Sequence, residues 1–172
     1  MADIKHDGSA GQARYTGQCL CGSVRYDSGP PIMMGRCYCV DCRRVTGSGY
    51  APVIAVLEAD LTITGEIRLI EIRSAQGLKT WRGFCPQCGS PMVGHLQKNP
   101  GVTALYAGTL DDPELFRPGI NLWLERAPSW VEIDRSVPGF DRQPDDAAPV
   151  YDTVRDAVDP TLPTTVAKLM AG

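Results

Sequence analysis

The stretch Cys37-Tyr-Cys-Val-Asp-Cys42 places three thiols within six residues. These central cysteines (Cys37, Cys39 and Cys42) are too close for more than one pair to form a disulfide, but their spacing suits them to surround one metal ion. Four outer cysteines flank them, as Cys19-Leu-Cys21 and Cys85-Pro-Gln-Cys88. The sequence therefore poses the question of why the chain has seven cysteines and not eight.

Length and composition predict one soluble domain with tails. The chain has 172 residues, is 43% hydrophobic and 22% charged, and carries a formal net charge of -3, which is ordinary for a globular protein. This charge offers no basic face to nucleic acid and no polybasic anchor to a membrane. No apolar run is long enough for a signal peptide or a membrane span. We therefore expect a cytoplasmic protein whose cysteines are reduced, because disulfides are rare there.

Short apolar alternations broken by Gly and Pro predict a mostly β domain over residues 14–140. One short helix is expected at 40–45, and the last two strands of the core are expected near 121–124 and 130–133. Between 67 and 73 the apolar residues change phase by one position. This change predicts a β-bulge, because a period of two cannot otherwise keep one face buried.

The two ends of the chain differ in composition from this domain. Residues 1–13 are predicted to be a mobile tail, and residues 141–172 an extended arm. The arm either folds back on its own subunit or clasps a neighbouring one, which would make a homodimer. Trp123 and Trp130 are predicted to be core residues, with an aromatic rim to a pocket as the alternative.

The four outer cysteines have the pattern of a structural zinc site. Cys85-Pro-Gln-Cys88-Gly89 has the spacing of a zinc knuckle, in which the Gly accommodates a positive φ. A structural zinc takes four ligands, and Cys19 and Cys21 can supply the other two because residues i and i+2 of a strand face one side. The alternative is two pairs of free buried thiols.

The central cysteines have the ligand number of an open zinc site. Three thiolates without a fourth leave one coordination position for water or substrate, so Cys37, Cys39 and Cys42 are the candidate catalytic residues. One alternative is a closed structural site whose fourth ligand is His95 or Asp41. Another is a redox site in which Cys39 and Cys42 form a disulfide.

Three polar residues that follow the central cysteines are candidate substrate contacts. Arg43 and Arg44 can each pair with a carboxylate in a bidentate manner, although two arginines on a solvated helical turn explain the same pattern. Ser48 can donate its hydroxyl to a ligand, although Gly-Ser-Gly more often simply forms a loop.

The order of the motifs resembles one known family. C-x-C-G is followed by C-x-C-x-x-C-R-R-x-x-G-S and by F-C-x-x-C-G-S. Two further matches are Ala107-Gly-Thr-Leu-Asp-Asp-Pro113 and the late pattern Trp123…Arg126…Trp130. From Tyr15 to Phe140, the chain resembles the glutathione-dependent formaldehyde-activating enzyme family, whose domain also occurs in centromere protein V.

This resemblance implies a fold, two metal sites and an activity. The implied fold is Mss4-like, with small twisted antiparallel sheets packed around zinc. The outer cysteines would hold a structural zinc, and the central cysteines a second zinc near the active site, giving two Zn²⁺ per chain. The implied activity condenses formaldehyde with glutathione, the co-substrate, to S-hydroxymethylglutathione, a carbon–sulfur lyase reaction in the reverse sense. The alternatives are a non-enzymatic zinc-binding module with a partner surface and a thiol redox enzyme.

Overall fold

Eleven short strands and one α-helix form the part of the chain that is described, residues 13–96 and 101–143 of a computed structural model. The prediction of a mostly β domain with few helices is confirmed. Apart from residues 13 and 141–143, the predicted tail and arm, and with them the predicted dimer contact, lie outside the described residues. Within the described ranges, no helix is long and apolar enough to cross a membrane.

The strands are short and mostly joined by turns. They are β1 (Tyr15–Gln18), β2 (Arg25–Ser28), β3 (Met33–Cys37), β4 (Ala51–Leu57), β5 (Leu61–Thr64), β6 (Arg68–Arg73), β7 (Lys79–Phe84), β8 (Pro91–Leu96), β9 (Val102–Tyr106), β10 (Ile120–Leu122) and β11 (Gly139–Phe140). The helix α1 (Val40–Thr46) lies between β3 and β4 and ends at Gly47, whose φ is 63°. A left-handed residue of this kind is a common helix stop, and Gly adopts it without steric cost.

The strands form two sheets. The smaller sheet has the order β1-β2-β5, and the larger has the order β11-β10-β3-β4-β9-β8-β7-β6. Pairing is antiparallel except where β10 meets β3 and β11. The larger sheet therefore contains two parallel pairs beside the expected antiparallel ones.

The main hydrophobic core lies between the two sheets. Successive residues of a strand point to opposite faces, and the register aligns Ile54 with Leu105 and Leu105 with Val93 across three strands. These side chains pack against Tyr26 of β2 and Ile63 of β5 from the smaller sheet. One face of the larger sheet is thereby covered.

The other face of the larger sheet carries a different row of side chains. Met33, Ala55, Ala104, Gly94 and Arg82 are aligned across β3, β4, β9, β8 and β7. Small residues occupy the middle of this row, so the face is recessed there. Cys37 lies on the same face, since it is four residues from Met33 on β3.

Two expectations about local structure are wrong. Strand β6 pairs with β7 in continuous register from residue 68 to 73, and the register shift occurs instead between Gly83 and Phe84. The phase change causes no bulge because β6 is an edge strand whose residues are mostly exposed. Residues 130–133 form no strand, and Trp130 is 73% exposed rather than in the core.

Candidate active site

The outer cysteines meet where two hairpins approach each other. Cys19 and Cys21 lie in the turn between β1 and β2, and Cys85 and Cys88 lie in the turn between β7 and β8. The Sγ atoms all lie within 4.8 Å of one another. The Cys19–Cys21 separation is 3.5 Å and the Cys21–Cys85 separation is 3.8 Å. Thiolates at about 2.3 Å from one tetrahedral zinc would be about 3.8 Å apart, so this set fits the metal.

The backbone of both hairpin turns directs the cysteine sulfurs towards one another. Gly22 has φ 77° and donates its N–H to Cys19 O, and Gly89 has φ 73° and donates to Cys85 O. A β-carbon is disfavoured at such φ values, which is why a Gly follows the second Cys in each motif. The backbone N–H of Val24 also donates to Cys19 Sγ at 3.2 Å. Backbone donors of this kind stabilise a thiolate.

The central cysteines meet at the junction of β3 and α1. Cys37 is the last residue of β3, Cys39 is the N-cap of α1, and Cys42 lies in its first turn. The three Sγ atoms lie within 4.8 Å of one another, and the N–H of Cys42 donates to Cys39 Sγ at 3.3 Å. Three converging sulfurs fit three positions of a zinc tetrahedron.

The central thiols share their protons unequally. Hydrogen bonds from the Cys37 and Cys42 side chains lower the pKa of Cys39 to about 3. Hydrogen bonds with Cys39 and Cys42, together with burial, raise the pKa of Cys37 well above its ordinary value. The two shifts have opposite directions, and neighbouring S–H donors favour the thiolate form of Cys39.

Neither residue considered as a fourth ligand joins the central cysteines. His95 is buried, its Nδ1 lies 3.0 Å from Glu58 Oε1, and its Nε2 lies 2.9 Å from Thr103 Oγ1. Asp41 accepts the N–H of Ala75 through Oδ2 at 2.9 Å. Among the described residues, the potential ligands grouped with the central cysteines are those three thiols alone.

A cavity of about 110 Å³ adjoins Cys37 and Cys42 on the recessed face of the larger sheet. Its apolar walls are formed by Met33, Val53, Ala55, Val102, Ala104 and Leu122. Trp123 also lines it, with a φ of 65°. Of the two expectations for Trp123, the pocket rim is therefore the one that the structure shows.

Arg82 and Tyr106 bring polar groups to the same cavity. Arg82 Nη1 donates to Thr80 Oγ1 at 2.7 Å, and no carboxylate of the described residues forms an ion pair with its guanidinium. Burial, partly offset by the charge of Arg82, raises the pKa of Tyr106 to about 12. The cavity thus contains a guanidinium and a protonated phenol next to thiols.

Of the three expected substrate contacts, Arg43 and Arg44 lie on α1 and Ser48 lies just after its end. Arg43 is half-buried and its Nε donates to Tyr38 O at 3.2 Å, whereas Arg44 and Ser48 are exposed. None of the three lines the cavity beside Cys37. The sequence analysis did not single out Arg82, which is the second basic residue, after Lys79, of the strand that leads to Cys85.

Comparisons with known proteins agree on one family. Residues 14–126 match the family described as "glutathione-dependent formaldehyde-activating enzyme". A Halomonas elongata protein that carries this family name is 32% identical over 126 residues, covering 69% of this chain and 80% of that one.

A solved structure of a Rhodobacter sphaeroides protein, whose title states no function, aligns with a TM-score of 0.46 and 20% identity, covering 73% of this chain and 99% of that one. The family match extends over more than half of the 172 residues. It includes both cysteine groups and the strands that carry Arg82 and Tyr106. The chain belongs to the glutathione-dependent formaldehyde-activating enzyme family.

Proposed function

We propose that this protein is a zinc-dependent carbon–sulfur lyase that joins glutathione to formaldehyde, or acts on a related thiol–aldehyde adduct, at the central cysteines. The observation that carries the proposal is the open side of the central group. Three thiols converge, the described residues provide no fourth ligand, and a cavity borders two of the three. A purely structural site would be closed by a fourth ligand.

The outer and central cysteines have separate roles in this proposal. The outer group would hold a structural zinc, because its four sulfurs lie within 4.8 Å of one another and two of their separations are 3.5 and 3.8 Å. The central group would hold the second zinc, giving two per chain. When bound there, zinc would supply Lewis-acid stabilisation of a thiolate or of an aldehyde oxygen.

The reaction needs no other reactant. The glutathione sulfur forms a bond to the carbonyl carbon, the C=O π electrons move to the oxygen, and the thiol proton ends on that oxygen. The residues of this chain would orient the two reactants, exclude water from the apolar cavity, and place donors near the developing oxyanion. In the reverse direction, the hydroxyl proton returns to sulfur, the S–C bond breaks, and the adduct is cleaved to glutathione and formaldehyde.

Glutathione is a tripeptide with two carboxylates and an ammonium group, whereas the cavity is lined mainly by apolar side chains. We therefore propose that its sulfur reaches the central cysteines while its body lies along the exposed side of α1. Arg43, Arg44 and Ser48 remain the proposed contacts for its carboxylates and backbone, since Arg44 and Ser48 are exposed there. This reaction belongs in a reducing cytoplasm, which agrees with seven free thiols.

The test mixes zinc-loaded protein with formaldehyde and glutathione and follows exchange between free and adduct forms by NMR. We expect faster exchange than in buffer, and we expect Cys42→Ser to lose this acceleration together with one zinc. No acceleration by the protein with two zinc bound would overturn the proposal. A protein that binds one zinc and cycles a Cys39–Cys42 disulfide would support the redox alternative.

A further inference from the structure

The cavity beside the central cysteines is larger and more apolar than formaldehyde requires. Its volume is about 110 Å³, and apolar side chains form most of its lining. Formaldehyde has two non-hydrogen atoms and no apolar substituent. Its binding would leave most of the walls, among them Met33, Ala55 and Ala104, in contact with water.

The walls result from the register of the larger sheet. Met33 lies opposite Ala55, and Ala55 lies opposite Ala104. The two alanines leave space between longer side chains, and Val102 and Leu122 close the sides. Such a shape suits a short apolar group.

Two hydrogen-bond donors converge at one edge of this cavity. A β-carbon at Gly94 would lie 3.1 Å from Arg82 Nη1 and 3.6 Å from Tyr106 Oη. Both groups therefore border the space above Gly94 that a side chain would otherwise fill. Thr80 Oγ1 fixes the guanidinium by accepting from its Nη1 at 2.7 Å. An arginine beside apolar walls and without a carboxylate partner among the described residues is suited to bind an anionic or carbonyl oxygen.

We infer that the substrate is an aldehyde with a short apolar substituent, bound as the free aldehyde or as its thiol adduct. The substituent lies against Met33, Ala55 and Ala104, and the oxygen faces Arg82 and Tyr106. This inference rests on the proposed function, because it takes the central cysteines as the reacting end of the site. It changes the expected substrate from formaldehyde itself to an aldehyde whose short apolar substituent fills the cavity.

The donor pair has a defined part in the addition step. When the thiol sulfur bonds to the carbonyl carbon, the C=O π electrons move to the oxygen, and the thiol proton transfers to it. Arg82 and Tyr106 would donate hydrogen bonds to that oxygen while its charge is greatest. Both therefore act as substrate-contacting residues, and Thr80 as a positioning residue for Arg82.

The binding test uses unreactive amides in place of aldehydes. Butyramide presents the same carbonyl oxygen and a three-carbon substituent, whereas formamide presents the oxygen alone, and neither forms a thiol adduct. Burial of each carbon contributes about fourfold in affinity, so three carbons give on the order of fiftyfold. We expect butyramide to bind the zinc-loaded protein at least about tenfold more tightly in NMR titrations.

Three variants locate the bound amide. Ala104→Leu should fill the cavity and remove the preference for butyramide, and Arg82→Leu should weaken the binding of both amides. Arg68→Leu is the matched control, because Arg68 is an exposed strand residue on β6 and should leave both affinities unchanged. Each variant is first shown to melt cooperatively, and Ala104→Val replaces Ala104→Leu if the larger side chain prevents folding.

Exchange kinetics then separate this inference from the proposed function. With wild-type protein we expect acceleration of butanal–thiol exchange to exceed that of formaldehyde–thiol exchange, and Ala104→Leu should reverse the order. Equal binding of the two amides together with accelerated formaldehyde exchange overturns the inference and leaves the proposed function standing. Selective butyramide binding that depends on Ala104 and Arg82, without acceleration for any aldehyde, retains the ligand class and overturns the lyase activity.

Discussion

Replacing Thr103 by Val should destabilise the domain and leave its zinc content unchanged. Thr103 is fully buried, and its hydroxyl donates to Glu58 Oε1 at 3.0 Å and lies 2.9 Å from His95 Nε2. The other ring nitrogen, Nδ1, lies 3.0 Å from the same Glu58 oxygen. Val has nearly the same shape as Thr, so the variant removes one hydroxyl without creating a cavity.

The expected cost follows from what the hydroxyl contacts. Without it, a buried imidazole nitrogen loses its partner, which costs about 1–3 kcal/mol. The carboxylate of Glu58 loses one hydrogen bond, and bonds to charged groups contribute about 1.5–3 kcal/mol each. Because both losses share one hydroxyl, we expect a total of about 2–4 kcal/mol, a large part of the roughly 5–15 kcal/mol that stabilises a domain.

Urea unfolding of zinc-loaded protein measures this cost. The midpoint should fall while the slope stays constant, because the surface exposed on unfolding is the same. Thr62→Val on β5 is the control, since Thr62 is exposed and the change should stay within about 0.5 kcal/mol. A loss below about 1 kcal/mol for Thr103→Val would refute the energetic reasoning. Loss of a zinc with the fold intact would show instead that His95 is a ligand.

The other predictions concern both metal groups, alkaline pH and the core. Cys85→Ser should abolish cooperative melting, because the outer cysteines join two hairpins, whereas Cys42→Ser should lose one zinc and still melt cooperatively; the opposite pattern would contradict the assigned roles. Burial raises the pKa of Tyr26 from 10.0 to about 12. Ionisation of Tyr26 alone therefore lowers stability by about 2 kcal/mol as pH rises from 10 to 12 and has no effect below pH 10. Tyr106, whose pKa is also raised to about 12, adds to the total fall, and Tyr26→Phe should remove only the Tyr26 part in alkaline urea titrations. Gly83→Ala should lower the melting temperature, since its β-carbon would lie 2.4 Å from Val93 Cγ2, and an unchanged melting temperature would contradict that packing.

Features that depend on the spacing of a few consecutive residues, such as turns and cysteine motifs, were predicted well from the sequence. The short helix predicted at 40–45 is α1 (Val40–Thr46), and Gly89 has the predicted positive φ. The two cysteine groups are those given by counting ligands, because each motif places its own sulfurs within one turn. Turn geometry is a property of a few consecutive residues, so the sequence contains the information for it.

Features that depend on strand register could not be predicted. His95 was considered as a ligand, yet β8 directs it to the face where Thr103 and Glu58 lie. Adjacent residues of a strand point to opposite faces of the sheet. If the pairing of β8 were displaced by one residue, His95 would lie on the opposite face. Arg82 belongs to the cavity for the same reason, since Gly94 and Ala104 link its strand to β4.

The register also gives a physical answer to the odd number of cysteines. The cross-strand neighbours of Cys37 are Ala51 and Leu122, and neither can bind a metal. Beyond them the same face carries small and apolar residues, among them Ala55 and Ala104, that form a cavity instead of a ligand. An eighth cysteine on this face would occupy the space through which, in the proposed function, a substrate would approach the central sulfurs. Seven thiols are therefore the number expected when one group closes around its metal and the other faces a substrate cavity.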